Sequence, residues 1–144
     1  MICQINNWLY QGDINSIKDK QFIGKNIKGI VFLGENNEKI FPNYADDVCY
    51  LWAPFNDPGE NLTVKKVESI VGFACDFKTE GGVLIACYGG VNRSSAMCAV
   101  VLHYSDGLKE KNACELVKKR NSAACMRKEL TISIKNIIGL DISI

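Results

Sequence analysis

Three short apolar runs favour strands, Gly29 to Leu33, Val48 to Ala53 and Val83 to Cys87, and they alternate with stretches whose apolar positions recur every three or four residues. Strand, helix and strand in alternation is the pattern of a parallel sheet covered by helices, so an α/β fold with a central, mostly parallel sheet is expected. Gln4 to Gln11 is expected to add one more strand. Asp13 is placed to cap a short helix running to Asp19, with Ile14 and Ile17 on one face. Thr63 is placed to cap a longer helix to about Thr79, with Val64, Val67, Val71 and Ala74 at helical intervals and Gly81-Gly82 ending it. The stretch from Ser94 to Tyr104 is apolar almost all round, which predicts a helix in the middle of the fold, ended by Asp106-Gly107. Ala113, Leu116 and Val117, then Leu130, Ile134, Ile137 and Ile138, each give a later helix one apolar side.

Composition changes this picture little. With 144 residues, 47% of them apolar and 23% charged, the chain fits one domain spanning 1–144 with a sizeable core. A net charge of +1 argues against a general polyanion binder. Lys118, Lys119, Arg120, Arg127 and Lys128 still concentrate basic groups, either as a solvated helix face or as a patch steering an acidic phosphoprotein or RNA. No basic-then-apolar leader and no run near the roughly 18 apolar residues of a membrane span occurs, so a soluble, cytoplasmic protein with no membrane partner is expected. Seven cysteines show no C-x-x-C pair and no His/Cys cluster of zinc spacing, and six of them read as packing residues. A Cys87 thiolate has the chemistry to oxidise and form a reversible disulfide with a nearby cysteine.

The chemistry concentrates in Ala86-Cys87-Tyr88-Gly89-Gly90-Val91-Asn92-Arg93-Ser94-Ser95, a short loop between a strand-like and a helix-like run. Such a loop aims backbone N–H groups and a helix N-terminus at one point, which favours an oxyanion or a thiolate there. Cys87 stands at its entrance, and Arg93 brings a planar fork able to grip two phosphate oxygens. A glycine pair after a strand is also an ordinary turn, and a lone cysteine an ordinary buried residue. A nucleotide-binding P-loop is excluded because no lysine lies between Cys87 and Ser95, and a dinucleotide fingerprint because no third glycine follows Gly89-Gly90.

A general acid has to come from another segment reaching the same sheet edge, and Asp57 in Pro54-Phe55-Asn56-Asp57-Pro58-Gly59 fits best. The same residues are equally those of a tight turn. Asp46 and Asp47 enter the preceding strand from its far side, and Glu60 is a weaker neighbour. His103, the sole histidine, falls more than two helical turns from the loop and is expected to be structural.

Cys87, Gly90, Arg93 and Ser94 match the C-x-x-G-x-x-R-S/T signature of the cysteine-dependent phosphatases, and the chain resembles a compact dual-specificity phosphatase domain. The likeness extends to Trp8-Leu9-Tyr10-Gln11-Gly12, similar to that family's first strand. Asn56-Asp57 with Asn61-Leu62-Thr63 resembles its general-acid loop and next helix start, and Ala113 to Arg120 resembles the helix after the phosphate-loop helix. The resemblance implies a protein-tyrosine-phosphatase-like architecture that uses no metal or cofactor. It implies hydrolysis of phosphotyrosine and phosphoserine/threonine on a phosphorylated protein partner through a cysteinyl-phosphate intermediate. Cys87 is then the nucleophile, Asp57 the acid, and Arg93 with the backbone of Tyr88, Gly89, Gly90, Val91 and Asn92 the phosphate cradle. Ser94 is then the hydroxyl that stabilises the departing sulfur, a role compatible with that of a plain N-cap. Two positions depart from the family: Ala86 stands where it has His, removing one support of the loop, and Asn121 to Met126 lacks a proline common there. RNA 5′-phosphate removal and phosphopeptide binding without turnover are the alternatives. Phosphoinositide hydrolysis is disfavoured by the absence of lysines around Arg93.

Overall fold

Val83 and Ile85 pack on one side of a sheet and Leu84 and Ala86 on the other, and all four are fully buried, because helices cover both faces. The computed structural model describes residues 1–36 and 47–144, which form five strands and six helices. The strands are β1 (Ile2–Gln4), β2 (Leu9–Gly12), β3 (Ile27–Phe32), β4 (Cys49–Trp52) and β5 (Gly82–Ala86). Their order is β1-β2-β5-β3-β4, with β1 antiparallel to β2 and every other pair parallel. The helices are α1 (Ile14–Ile17), α2 (Lys20–Asn26), α3 (Val64–Phe77), α4 (Arg93–Asp106), α5 (Glu110–Arg120) and α6 (Lys128–Ile138). The chain is a single α/β domain, as the alternation of runs predicts.

Residues of α3, α4, α5 and α6 share one apolar core with Leu9, Val31, Val83 and Ile85 of the sheet. Ile17 and Ile23, from α1 and α2, close the opposite face over Tyr10, Ile30, Phe32 and Leu84. Every residue of α4 from Arg93 to Leu102 is buried. Burying Met97, Val100, Val101 and Leu102 stabilises by roughly 1.5–3 kcal/mol for each side chain, so the helix behind the loop is anchored through its own length.

Gly12 and Phe32 both pair with Ala86, and Phe32 with Trp52, so the carboxyl ends of β2, β5, β3 and β4 lie level. The segments leaving them, which begin at Asp13, Cys87, Leu33 and Ala53, therefore emerge along one edge, where ligands of open α/β sheets bind. Bonds from Ala53 N to Phe32 O at 3.0 Å and from Phe55 N to Leu33 O at 3.2 Å carry the chain beyond β4 toward Asp57.

The structure corrects several expectations. Gln4 to Gln11 is a hairpin rather than one strand, because the Asn6 side chain accepts from Trp8 N at 3.0 Å and Leu9 N at 2.7 Å and turns the chain. Helix α2, capped by Asp19, has only Ile23 buried and so leaves no periodic signal. Helix α3 ends at Phe77 with Lys78 as its C-cap, and neither Gly81 nor Gly82 adopts positive φ. A Cβ at Gly82 would instead lie 2.1 Å from the Asn26 carbonyl oxygen, so close strand approach requires that glycine. Cys49, Cys75 and Cys125 are exposed and do not pack in the core. Asp47 pairs with Lys28 at 2.8 Å, and Asp46 lies outside the described residues. Among the described residues no helix is long and apolar enough to cross a membrane.

Candidate active site

The loop from Cys87 to Asn92 joins the buried end of β5 to the N-terminus of α4. Asn92 is the N-cap residue but makes no side-chain cap bond, so the positive end of a 14-residue helix is left open to the loop. Ser94 is the second helical residue rather than the cap, which corrects the N-cap reading. Its hydroxyl lies 3.2 Å from Cys87 Sγ, and Cys87 is 3% exposed.

Gln11, at 0% exposure, holds this arrangement from below. Its amide nitrogen donates to Ser94 Oγ at 2.9 Å, Ser95 Oγ at 2.8 Å and the Gly90 carbonyl at 3.1 Å. With its oxygen already accepting from Gln11, the single Ser94 proton is free to turn toward sulfur. Asn121 donates to the same Gly90 carbonyl. Gly90 has φ +67°, and a Cβ there would come within 2.5 Å of Met1 Cε and 3.1 Å of Asp13 N, so glycine is required.

Arg93 is 7% exposed and points its guanidinium across the loop mouth. Nη1 donates to the Phe55 carbonyl at 2.9 Å and lies 3.8 Å from Glu35 Oε1. The buried Nε sits 3.3 Å from Asp57 Oδ1, close enough for an ion pair but not aligned to donate a hydrogen bond. Its Cζ lies 5.4 Å over the ring of Tyr88, which in turn packs edge-on against Phe32. Guanidinium donors held in place but incompletely used are what a tetrahedral oxyanion needs.

Asp57 reaches the cleft from its turn, so the tight turn itself presents the carboxylate there. Asn92 Nδ2 donates to its carbonyl at 2.9 Å and to Oδ1 at 3.0 Å, while Arg127 Nη1 lies 2.8 Å from Oδ2. Burial pushes the carboxyl up, but the hydrogen bonds from Asn92 and Arg127 and the charges of Arg93 and Arg127 outweigh it and hold Asp57 below its ordinary range. The loop is stiffened by Asn56 N donating to Asn61 Oδ1 and Glu60 N donating to Asn56 Oδ1, both at 2.7 Å.

Asp57, Cys87, Gly89, Val91, Asn92 and Arg93 line one cleft of about 510 Å³, together with Cys125 and Arg127. A larger cavity of about 740 Å³, between α5 and the last residues of the chain, holds none of these residues and is lined instead by groups such as Lys109, Glu110 and Lys118, with His103 at its wall. His103 Nδ1 lies 2.8 Å from the Leu108 carbonyl, a local contact consistent with a structural residue. Of the basic cluster, Lys118 binds the carbonyls of Ser122 and Ala124, both at 2.8 Å, and Arg127 alone lines the cleft. Ala86 packs among apolar residues and offers the loop no side-chain hydrogen bond. Sequence reasoning missed the parts played by Gln11, Asn121 and Arg127. A polar residue directly after the apolar run Trp8-Leu9-Tyr10 is a signal for Gln11, whereas nothing local marks the other two.

No family model matches the chain, and no curated protein matches it in sequence. Solved structures do match in fold. Human DUSP28 superposes with a TM-score of 0.82 at 18% identity, over 94% of this chain and 90% of that one. A mouse putative dual specificity phosphatase complexed with zinc tungstate gives 0.82 at 20% identity, over 94% and 84%. Tk-PTP in the active form gives 0.75 at 22% identity, over 94% and 95%. The chain therefore has the fold of a compact dual-specificity, protein-tyrosine-phosphatase-like domain.

Proposed function

We propose that this protein is a cysteine-dependent phosphatase that hydrolyses phosphotyrosine and phosphoserine/threonine esters on proteins through a cysteinyl-phosphate intermediate. The observation that carries this reading is the convergence of Cys87, from the loop before α4, and Arg93, the first residue of that helix, with Asp57, from the distant turn after β4, on one cleft at the carboxyl edge of the sheet. The Cys87 thiolate attacks phosphorus and the ester P–O bond breaks, with the leaving oxygen taking the proton of Asp57. Arg93 and the open N-terminus of α4 balance the charge spread over the phosphoryl oxygens. Water then attacks phosphorus and the S–P bond breaks, Asp57 takes the water proton, and the sulfur leaves as a thiolate steadied by the Ser94 hydroxyl. Each role uses a group in place, and none calls for a metal or cofactor.

Turnover of a small aryl phosphate by wild type, Cys87→Ser and Asp57→Asn tests the assignment. The expected results are no turnover for Cys87→Ser and a loss on the order of 10²–10⁴ for Asp57→Asn. Mass spectrometry of rapidly quenched wild-type reactions should find phosphate on Cys87. Full activity after Cys87 is alkylated would overturn the mechanism.

Ala86 favours one second reading, a phosphopeptide-binding domain without turnover, because the loop lacks the side-chain support that the family's His provides. An inactive wild type that still binds phosphopeptides through Arg93 decides for it. Panels of phosphopeptides, RNA 5′-phosphates and inositol lipids then sort the class of ester.

A further inference from the structure

Arg127 is a charged residue of the cleft to which the chemistry above assigns no task. It immediately precedes α6, and its backbone N–H donates to Asn92 Oδ1 at 2.7 Å, tying the start of that helix to the loop beneath the cleft. Helix α6 also touches the Asp57 turn, with Ser133 Oγ donating to the Pro58 carbonyl at 3.4 Å. The guanidinium of Arg127 is thereby presented to the carboxylate of Asp57 at 2.8 Å. The other oxygen of Asp57 faces Asn92 Nδ2 at 3.0 Å and Arg93 Nε at 3.3 Å. Donors thus engage both oxygens, an arrangement suited to the anion and not to a carboxyl carrying its own proton. A general acid begins its step protonated, so these contacts describe a resting state that substrate has to rearrange. Phosphate arriving at Arg93 draws that cation away from Asp57, whereas nothing in the reaction itself draws Arg127 away.

We propose that Arg127 is a positioning residue that clamps the Asp57 carboxylate at the cleft between turnovers, and that this ion pair opens when Asp57 takes up the proton it passes to the leaving group. The inference rests on the reading of Asp57 as general acid. The charged and polar neighbours of Asp57 are Arg93 and Asn92 from the α4 side and Arg127 from the α6 side, with Cys87 in the same cleft. Behind them stand two carboxylates, Glu129 Oε2 at 3.6 Å from Arg127 Nε and Glu35 at 3.8 Å from Arg93. Two cations touch Asp57 directly while both carboxylates stand one contact further off, so the balance favours the anion. Loss of Arg127 removes a cation and a hydrogen bond together, and proton uptake by Asp57 then occurs at higher pH.

The test follows the carboxyl-carbon NMR resonance of Asp57 across pH in wild type, Arg127→Gln and Arg127→Lys. Parallel pH profiles of kcat/KM toward an aryl phosphate use the same proteins and Asp57→Asn. The resonance midpoint should move to higher pH in Arg127→Gln and stay near wild type in Arg127→Lys, which keeps the charge. The alkaline limb of kcat/KM should move in the same direction, so that activity on that limb rises on the order of tenfold, the usual effect of removing a nearby opposite charge. Asp57→Asn should lack the limb. An unmoved midpoint in folded Arg127→Gln overturns the clamp, and a moved midpoint with an unmoved limb overturns its part in catalysis. Absence of turnover in every protein defeats the phosphatase reading separately, since the resonance needs no turnover and still decides the ion pair.

Discussion

Asn121 donates a hydrogen bond of 3.1 Å to Gln11 across 110 residues of chain, and both side-chain amides also donate to the carbonyl of Gly90. The two residues are buried, at 4% and 0% exposure, and together they hold the loop that carries Cys87. Replacing Gln11 by Met keeps the volume but takes the acceptor from one Asn121 N–H and removes a donor from both Ser94 and Ser95. An unsatisfied buried polar group costs about 1–3 kcal/mol, so calorimetry should show a Tm lowered by roughly 3–10 °C together with a reduced kcat. A double-mutant cycle with Asn121→Ala should give a non-zero coupling energy.

Gly90→Ala tests the loop's shape. The left-handed conformation costs an ordinary residue about 1–2 kcal/mol, and here the added Cβ also collides with Met1 and approaches the backbone at Asp13. Stability should fall by at least that conformational amount in a denaturant titration, and aryl phosphate turnover should fall much further, because the cradle and not only the fold is displaced.

Ser94→Ala keeps the attacking sulfur but removes the hydroxyl 3.2 Å from it. The second chemical step should slow more than the first. Stopped-flow kinetics with an aryl phosphate should then show a burst of phenolate followed by a slower steady state, with the cysteine adduct accumulating in quenched samples. Equal loss in both phases would place Ser94 in loop support alone.

Acid stability should depend on Asp106, which accepts from Asn6 Nδ2 at 3.1 Å and Trp8 Nε1 at 3.3 Å and pairs with Lys78. Burial pushes this carboxyl up, but the hydrogen bonds from Lys78, Ser105 and Trp8 and the Lys78 charge hold it below its ordinary value. A depressed carboxylate contributes stability that is present above the unfolded value of about 3.9 and lost as pH falls through the folded one. Asp106→Asn should therefore flatten the fall in stability below about pH 4, measured by denaturant midpoints across pH.

The strand–loop–helix unit around Cys87 was legible because all of its parts are contiguous. An apolar run, a glycine-bearing loop and an apolar helix each follow from local preference, and Arg93 keeps its spacing from Cys87 whatever the rest of the chain does. The caps at Asp13 and Thr63 were legible for the same reason, since each accepts from a backbone N–H three residues on, Ser16 and Lys66. The β1–β2 hairpin and α2 were not, because a single Asn6 side chain makes the turn and a single buried Ile23 holds the helix.

Amino-acid order alone determined the α/β class, the strand, loop and helix around Cys87 and the turn that carries Asp57, since short-range periodicity and turn chemistry specify those. Tertiary structure decided what surrounds them: Gln11 with Asn121 beneath Gly90, Asn92 turned from capping to hold Asp57, and Arg127 brought to the same carboxylate. Hydrogen bonds and ion pairs between distant segments form only after the apolar faces of α4 and the sheet have packed and set the distances. A residue's neighbours along the chain therefore carry no trace of them.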